Sequence, residues 1–370
     1  MTHTKQKIAV RTAAALTMVL AILVTVSFSG CQLTSLLPNH NDGQANMSTT
    51  TQPLADDQPA PEIRIPDYLH PLTGTETTQA LSAARPVSIC IGNTAYALPQ
   101  YGLSASDILV EVPVEGGISR LMLITNNYEQ IGKFGSVRST RKSLATIANC
   151  FDAIQLFAGT SDEGDSVTLP YDTMDYIMQN LPNVYYREAS KNAPHNLMTS
   201  GALISGGIDS FGYRKTLSED FALPFSFVEY GKIISPTDGA ALSVRTVYST
   251  AQTMEFTYNT KTGMYDRYQF GEQQIDGNTG DGIAFKNVFI LYADTVTHES
   301  TSGTTLDLSL EKGGSGVWCS QGNQQTITWT ITEDGQFVFY DANGQPLIVN
   351  RGTSYIGFVK SSQKNNVTIQ

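Results

Sequence analysis

The segment Gly135-Ser136-Val137-Arg138-Ser139-Thr140-Arg141 sets two arginines three residues apart, with hydroxyls between them, where a helix is predicted to begin. At a helix start, unpaired backbone N–H groups and the dipole attract anions. Arg138, Ser139 and Arg141 are therefore candidates to fork onto a phosphate, pyrophosphate or carboxylate. The plainer alternative is that Ser139 caps the helix and the arginines pair with Asp107, Glu111 or Glu115. Upstream, Glu115-Gly116-Gly117-Ile118-Ser119-Arg120 reads as a turn entering a strand. Its two glycines permit backbone angles closed to other residues, which would aim Glu115 and Arg120 across a cleft or close an ordinary hairpin with a structural ion pair. Arg120 lies on an apolar strand, so its charge needs a partner. Pro194-His195-Asn196 adds an imidazole able to move a proton near neutral pH, with Asn196 beside it as a ligand contact. In an enzyme, Glu115 and His195 would be the proton carriers, and the arginines would stabilise developing charge.

Other motifs carry no chemistry. Ser205-Gly206-Gly207-Ile208-Asp209-Ser210 matches the phosphate loop of ATP pyrophosphatases, but at the end of a domain and not after its first strand. Gly159-Thr160-Ser161-Asp162-Glu163-Gly164 is one residue too long for a nucleophile elbow. His70, His195 and His298 are far apart and none has a ligand-spaced neighbour, so no metal or other cofactor is expected.

These residues need a scaffold of mixed periodicity. From Arg85 to Leu223, strands are expected at 86–91, 107–112, 118–125 and 152–158. Leu144, Ile147, Ala148 and Phe151 form a helical ladder, and Met174, Ile177, Met178 and Leu181 form another. Beyond Phe225 the ladder disappears. Thr326 to Thr332 alternates strictly, and Asp334-Gly335 and Asn343-Gly344 signal hairpin turns. Further strands are expected at 243–249, 252–258, 264–270, 285–292, 305–310 and 353–359. The fold class is thus an α+β or α/β N-terminal domain over 85–223, followed by a mainly antiparallel β domain over 224–370.

The front of the chain is of another kind. Lys5, Lys7 and Arg11 precede an apolar run, Ala13 to Val26, with the length of a secretory h-region. It ends in Phe28-Ser29-Gly30-Cys31, which resembles a bacterial lipobox, with Phe28 where leucine is usual. Residues 1–30 are expected to be a lipoprotein signal peptide, with Cys31 lipidated and the membrane as partner through that lipid. Residues 31–84, rich in Thr, Asn, Gln, Asp and Pro, are expected to be a disordered polar tether contributing little to any core. The chain carries 23 Lys plus Arg against 34 Asp plus Glu, so a basic nucleic-acid-binding surface is not expected. Loss of the signal peptide leaves the remainder at −14. Cys90, Cys150 and Cys319 are odd in number and scattered, as buried apolar residues would be; a Cys90–Cys150 bridge stays open.

Arg85-Pro86-Val87, Pro99-Gln100-Tyr101-Gly102-Leu103, Ala105-Ser106-Asp107-Ile108, the Glu115–Arg120 and Gly135–Arg141 segments and Ala193-Pro194-His195-Asn196-Leu197 occur in this order. The succession resembles the YerB-like lipoproteins of Gram-positive bacteria. Asn287-Val288, Gly314-Ser315-Gly316 and Gly352-Thr353 look like that family's second domain. The resemblance implies a membrane-anchored, extracytoplasmic, two-domain protein and names no reaction. The reading that results is a binder of an anionic cell-wall or envelope-protein group. The alternative is an envelope enzyme acting on a phosphorylated wall precursor or glycan.

Overall fold

Strand β1 (Val87–Asn93) lies antiparallel to β3 (Ser119–Thr125), which also pairs antiparallel with β2 (Ile108–Pro113) on its other side. These are the strands expected from apolar residues at nearly every position, the pattern of a sheet covered on both faces. The computed structural model describes residues 64–300 and 303–370. The signal peptide, Cys31 and most of the tether lie outside the described residues.

Helix α1 (Lys142–Cys150) leads to β4 (Ile154–Phe157), parallel to β1, and then to β5 (Thr173–Asp175), parallel to β4. Met174 is therefore a buried strand residue and not the head of a helix. Only a single turn, Tyr176–Gln179, follows it, and Ile177 and Met178 are exposed. The i, i+3, i+4 spacing there arises from a strand running into a turn. Helix α2 (Gly201–Phe211) carries the Ser205–Ser210 motif in its interior. Its amides are placed for intrahelical bonding and cradle no phosphate.

The second half is nearly all β. Strands β6 (Ser243–Ser249), β7 (Gln252–Asn259) and β8 (Met264–Gln269) form an antiparallel sheet. Then come β9 (Asn287–Ala293), the hairpin β10 (Thr295–Ser300) and β11 (Gly303–Leu308), and β12 (Gly314–Ser320). Strands β13 (Asn323–Ile331), β14 (Phe337–Tyr340), β15 (Ser354–Lys360) and β16 (Val367–Ile369) complete the chain. Gly335 and Gly344 adopt the positive φ that their turn pairs require.

The two halves share one sheet. Its central order is β13-β12-β9-β15-β2-β3-β1-β4-β5, with β15 parallel to both β9 and β2. Alternate residues feed two cores. Ile89, Leu109, Leu121 and Ile290 meet Val244, Met254 and Phe256 of the smaller sheet. Cys90, Val110, Met122 and Phe289 belong with Leu144, Ile147 and Ala148 of α1.

The folded body also begins earlier than composition suggests. Leu72 is fully buried, Gly352 donates to the Thr73 carbonyl at 2.8 Å, and His70 Nε2 faces Asp107 Oδ1 at 3.5 Å. A few anchoring residues suffice to dock a polar segment whose average composition reads as solvated.

Candidate functional site

The residues 135–140 run beside the end of β1. Gly92 N–H donates to the Ser136 carbonyl at 2.9 Å, and Arg138 N–H donates to the Cys90 carbonyl at 2.9 Å. On the other side, Thr140 N–H reaches the Gly159 carbonyl at 2.9 Å and Val137 N–H the Leu197 carbonyl at 2.7 Å. The backbone bearing Arg138 is thus fixed from both flanks. Cis peptide bonds occur nearby at Leu98-Pro99, Gly135-Ser136 and Ala193-Pro194.

The three arginines converge, in different states. Arg120, on β3 with 4% exposure, donates from Nη1 to the Ser139 carbonyl at 2.6 Å. Burial, then repulsion from Arg141 and Arg138, pushes its guanidinium down to about 10. Arg141 is almost buried and forks onto Glu115, with Nε 3.1 Å from Oε2 and Nη2 against Oε1; its Nη1 donates to the Thr140 carbonyl. Gly116 and Gly117 both take positive φ in the turn that aims Glu115 at this fork. Burial works to raise the Glu115 carboxyl, but bonds and charge from Arg141 outweigh it and hold the group below its ordinary value. Arg138 is half-buried and forms no ion pair among the described residues. Burial and then Arg141 lower its guanidinium, with Glu115 the opposing charge. Among the described residues Glu115 is the one carboxylate bonded to this cluster, and Arg141 alone forks onto it.

Arg138 Nη1 lies 3.4 Å from His195 Nδ1. A guanidinium only donates, so His195 Nδ1 accepts and the imidazole is neutral. Burial, followed by Arg138, Lys191 and Arg120, holds His195 below its ordinary value. Its ring stacks on Tyr96, 82% exposed, with centroids 6.0 Å apart. Lys191 Nζ donates to the Ala97, Leu98 and Pro99 carbonyls, tying the two loops together. Glu115 is thus held in a fork, and His195 Nδ1 faces the Arg138 guanidinium.

The remaining candidates part company with the cluster. Ser139 Oγ donates to the Ala158 carbonyl at 2.9 Å and caps nothing; α1 begins at Lys142, with Arg141 as its N-cap residue. The helix start is already filled, because Asp307 Oδ1 on β11 accepts from Ser143 N–H at 3.0 Å and from Ser143 Oγ at 3.1 Å. The Ser143 amide at this helix start holds an internal carboxylate and not an outside anion. Asn196 Oδ1 accepts from Arg187 at 2.7 Å. Of the acids weighed as internal partners, only Glu115 meets these arginines; Glu111 pairs with Arg267 and Asp107 with His70. Cys90, Cys150 and Cys319 are free thiols, with burial pushing Cys90 up to about 11 and Cys150 up to about 12.

Two contributors went unread in the sequence. Ser136 Oγ is fully buried and has no partner among the described residues. Gly92 leaves room for the site, since a Cβ there would lie 3.2 Å from Arg138 Cγ and from Ser136 Oγ. A glycine inside an otherwise apolar strand was the available signal, because it marks close approach by another segment.

Residues 72–214 match the N-terminal domain, and residues 244–356 the C-terminal domain, of DUF3048, a protein family of unknown function. YerB of Bacillus subtilis, whose name describes it as a lipoprotein, is 31% identical over 265 residues, 70% of this chain and 77% of the relative. The crystal structure of Bacillus subtilis YerB matches with a TM-score of 0.70 at 28% identity, covering 82% of this chain and 99% of that one.

Proposed function

The chain belongs to the DUF3048 family of YerB-like proteins, and on that premise we propose that it is a lipid-anchored extracytoplasmic protein that holds an anionic envelope group at Arg138. The anchor is the lipid on Cys31, following the lipobox-like Phe28-Ser29-Gly30-Cys31 and the name of the relative. A Cys31→Ala chain would lose lipid label and leave the membrane fraction; a variant that stays labelled and membrane-bound removes this assignment.

The observation that carries the binding reading is the half-buried Arg138 guanidinium, which has no carboxylate partner among the described residues and lies beside Arg141, forked onto Glu115, and Arg120, bonded to the Ser139 carbonyl. A phosphate or carboxylate would take a paired hydrogen bond from Arg138 and relieve the repulsion among the three cations. Tyr96 and His195 form one wall of the approach. The fork on Glu115 and the accepting role of His195 favour a binder over an enzyme.

The test is titration of the full chain with inorganic phosphate and pyrophosphate, followed by calorimetry and by the His195 ring signals. Bound anion would raise the His195 value, since it opposes the cations that depress it. Arg138→Ala would abolish both responses. Equal binding by wild type and variant would refute the site.

A further inference from the structure

Three parallel strands, β9, β15 and β2, begin side by side, and the residue before each start falls in one row: Lys286, Thr353 and Asp107. The row is held by Lys286 N–H donating to the Thr353 carbonyl at 3.0 Å and Ser354 N–H donating to the Asp107 carbonyl at 3.0 Å. It lines an open cavity of about 740 Å³, to which the lead-in segment contributes Thr73, Thr75, Glu76 and Thr77. This volume is within the range that encloses a small organic ligand and exceeds the needs of a bare oxyanion.

The lining contains polar groups with nothing to bind. Ser106 is 3% exposed, and among the described residues its Oγ has no partner; Thr353 Oγ1 is likewise buried and unpartnered among them. A buried hydroxyl left unpaired is costly, so native structures rarely leave one without use. Lys286 donates to the Gly263 carbonyl at 3.1 Å and forms no ion pair among the described residues. Its stem rests on Gly352, where an added Cβ would come within 2.7 Å of Lys286 Cβ. Arg351 reaches the same cavity, with Nη1 on the Gly74 carbonyl and no carboxylate partner among the described residues. Two acids line the cavity: Asp107 is engaged, with Oδ1 facing His70 and Oδ2 accepting from Asn126 N–H at 3.2 Å, and Glu76 is exposed to solvent on the lead-in segment. His70 has no spare nitrogen to activate Ser106, because Nδ1 accepts from Leu72 N–H while Nε2 faces Asp107. The geometry therefore suits binding and not a serine nucleophile.

We propose that this cavity binds a hydroxylated small molecule, such as a sugar acid or sugar phosphate, through one carboxylate or phosphate seated on Lys286, with the Ser106 and Thr353 hydroxyls bonded to its body. Arg351 adds the second positive charge. The site is separate from Arg138 and does not depend on the reading given for it.

Calorimetry on the full-length chain in detergent, with glucuronate, glucose 6-phosphate and neutral glucose, tests the proposal. At least one charged sugar should bind, with glucose much weaker, and the charged probe that binds identifies the acid group. Lys286→Met should weaken that binding by about tenfold or more, and Ser106→Ala by several-fold, at unchanged melting temperature. Lys286→Arg should restore part of the affinity, and Arg138→Ala should leave it unchanged. Three results would overturn the proposal: no binding of either acid up to ~10 mM, equal binding of glucose, or loss in Arg138→Ala with retention in Lys286→Met. The last would assign the anion to the arginine cluster and leave that reading standing.

Discussion

Arg138 and Arg141, three residues apart, have opposite thermodynamic characters. Arg141 is held by a carboxylate fork and a carbonyl, whereas Arg138 faces other cations and a neutral imidazole. Arg141→Met leaves Glu115 partly buried without its partner and should lower stability by about 1–3 kcal/mol. Arg138→Met removes a repelled charge and should leave the urea midpoint unchanged or higher. A large loss from Arg138→Met would mean that this side chain serves the fold and not a ligand. Electrostatics also set a pH dependence. The His195 value is lower in the folded state, so above the unfolded value of ~6.5 it contributes no pH dependence. As pH falls below that value the unfolded chain takes the proton first, and stability declines until the folded value is passed. Residue types and spacing announced the arginines. Their partners were not legible, because Glu115, Glu111 and Asp107 are equivalent as symbols and only packing decides which carboxylate an arginine reaches.

At the level of elements, α1 depends on a carboxylate from the other half of the chain. Asp307 on β11 accepts from both the amide and the hydroxyl of Ser143. Asp307→Ala should cost about 1–2 kcal/mol, the loss of a cap and of favourable charge at a helix start. Asp307→Asn should recover much of it; a neutral Asp307→Ala would show that the contact contributes nothing. Strands β1, β2, β3, β7 and β13 were readable from their sequence, because continuous or alternating apolar residues leave few other placements. The helix expected from Met174 to Leu181 was not, since four apolar residues at helical spacing occur equally where a short edge strand enters a turn. The start of α1 was misplaced for a related reason. Ser139 is a good capping residue by type, yet backbone bonds to β1 and to Gly159 keep residues 135–140 extended.

The molecule as a whole is joined by a buried seam. Arg267 on β8 and Glu111 on β2 are both 0% exposed, with Arg267 Nη2 2.5 Å from Glu111 Oε2. Glu111 also accepts from Tyr355 at 2.8 Å and from Ser119 Oγ, while Gln269 reaches Asn93 at 2.8 Å. Removing one member leaves a buried charge uncompensated, so Arg267→Met should cost about 3–5 kcal/mol. It should shift a single unfolding transition, seen equally by probes in either half. Two separated transitions would show that the halves are independent bodies. Composition divided the chain into a mixed half and a β-rich half, which is how its secondary structure falls. The continuity of the sheet was hidden, because the β2–β15 pairing joins residues more than two hundred positions apart and leaves no local pattern.

That pairing also governs how the protein is made. Synthesis delivers β2 early, yet its neighbour in the middle of the sheet is almost the last strand to appear. Until then the nascent polypeptide presents an open hydrogen-bonding border, a template for aggregation that a holding factor would have to shield. Truncation anywhere before Ser354 removes a central plank and leaves no finished smaller protein behind.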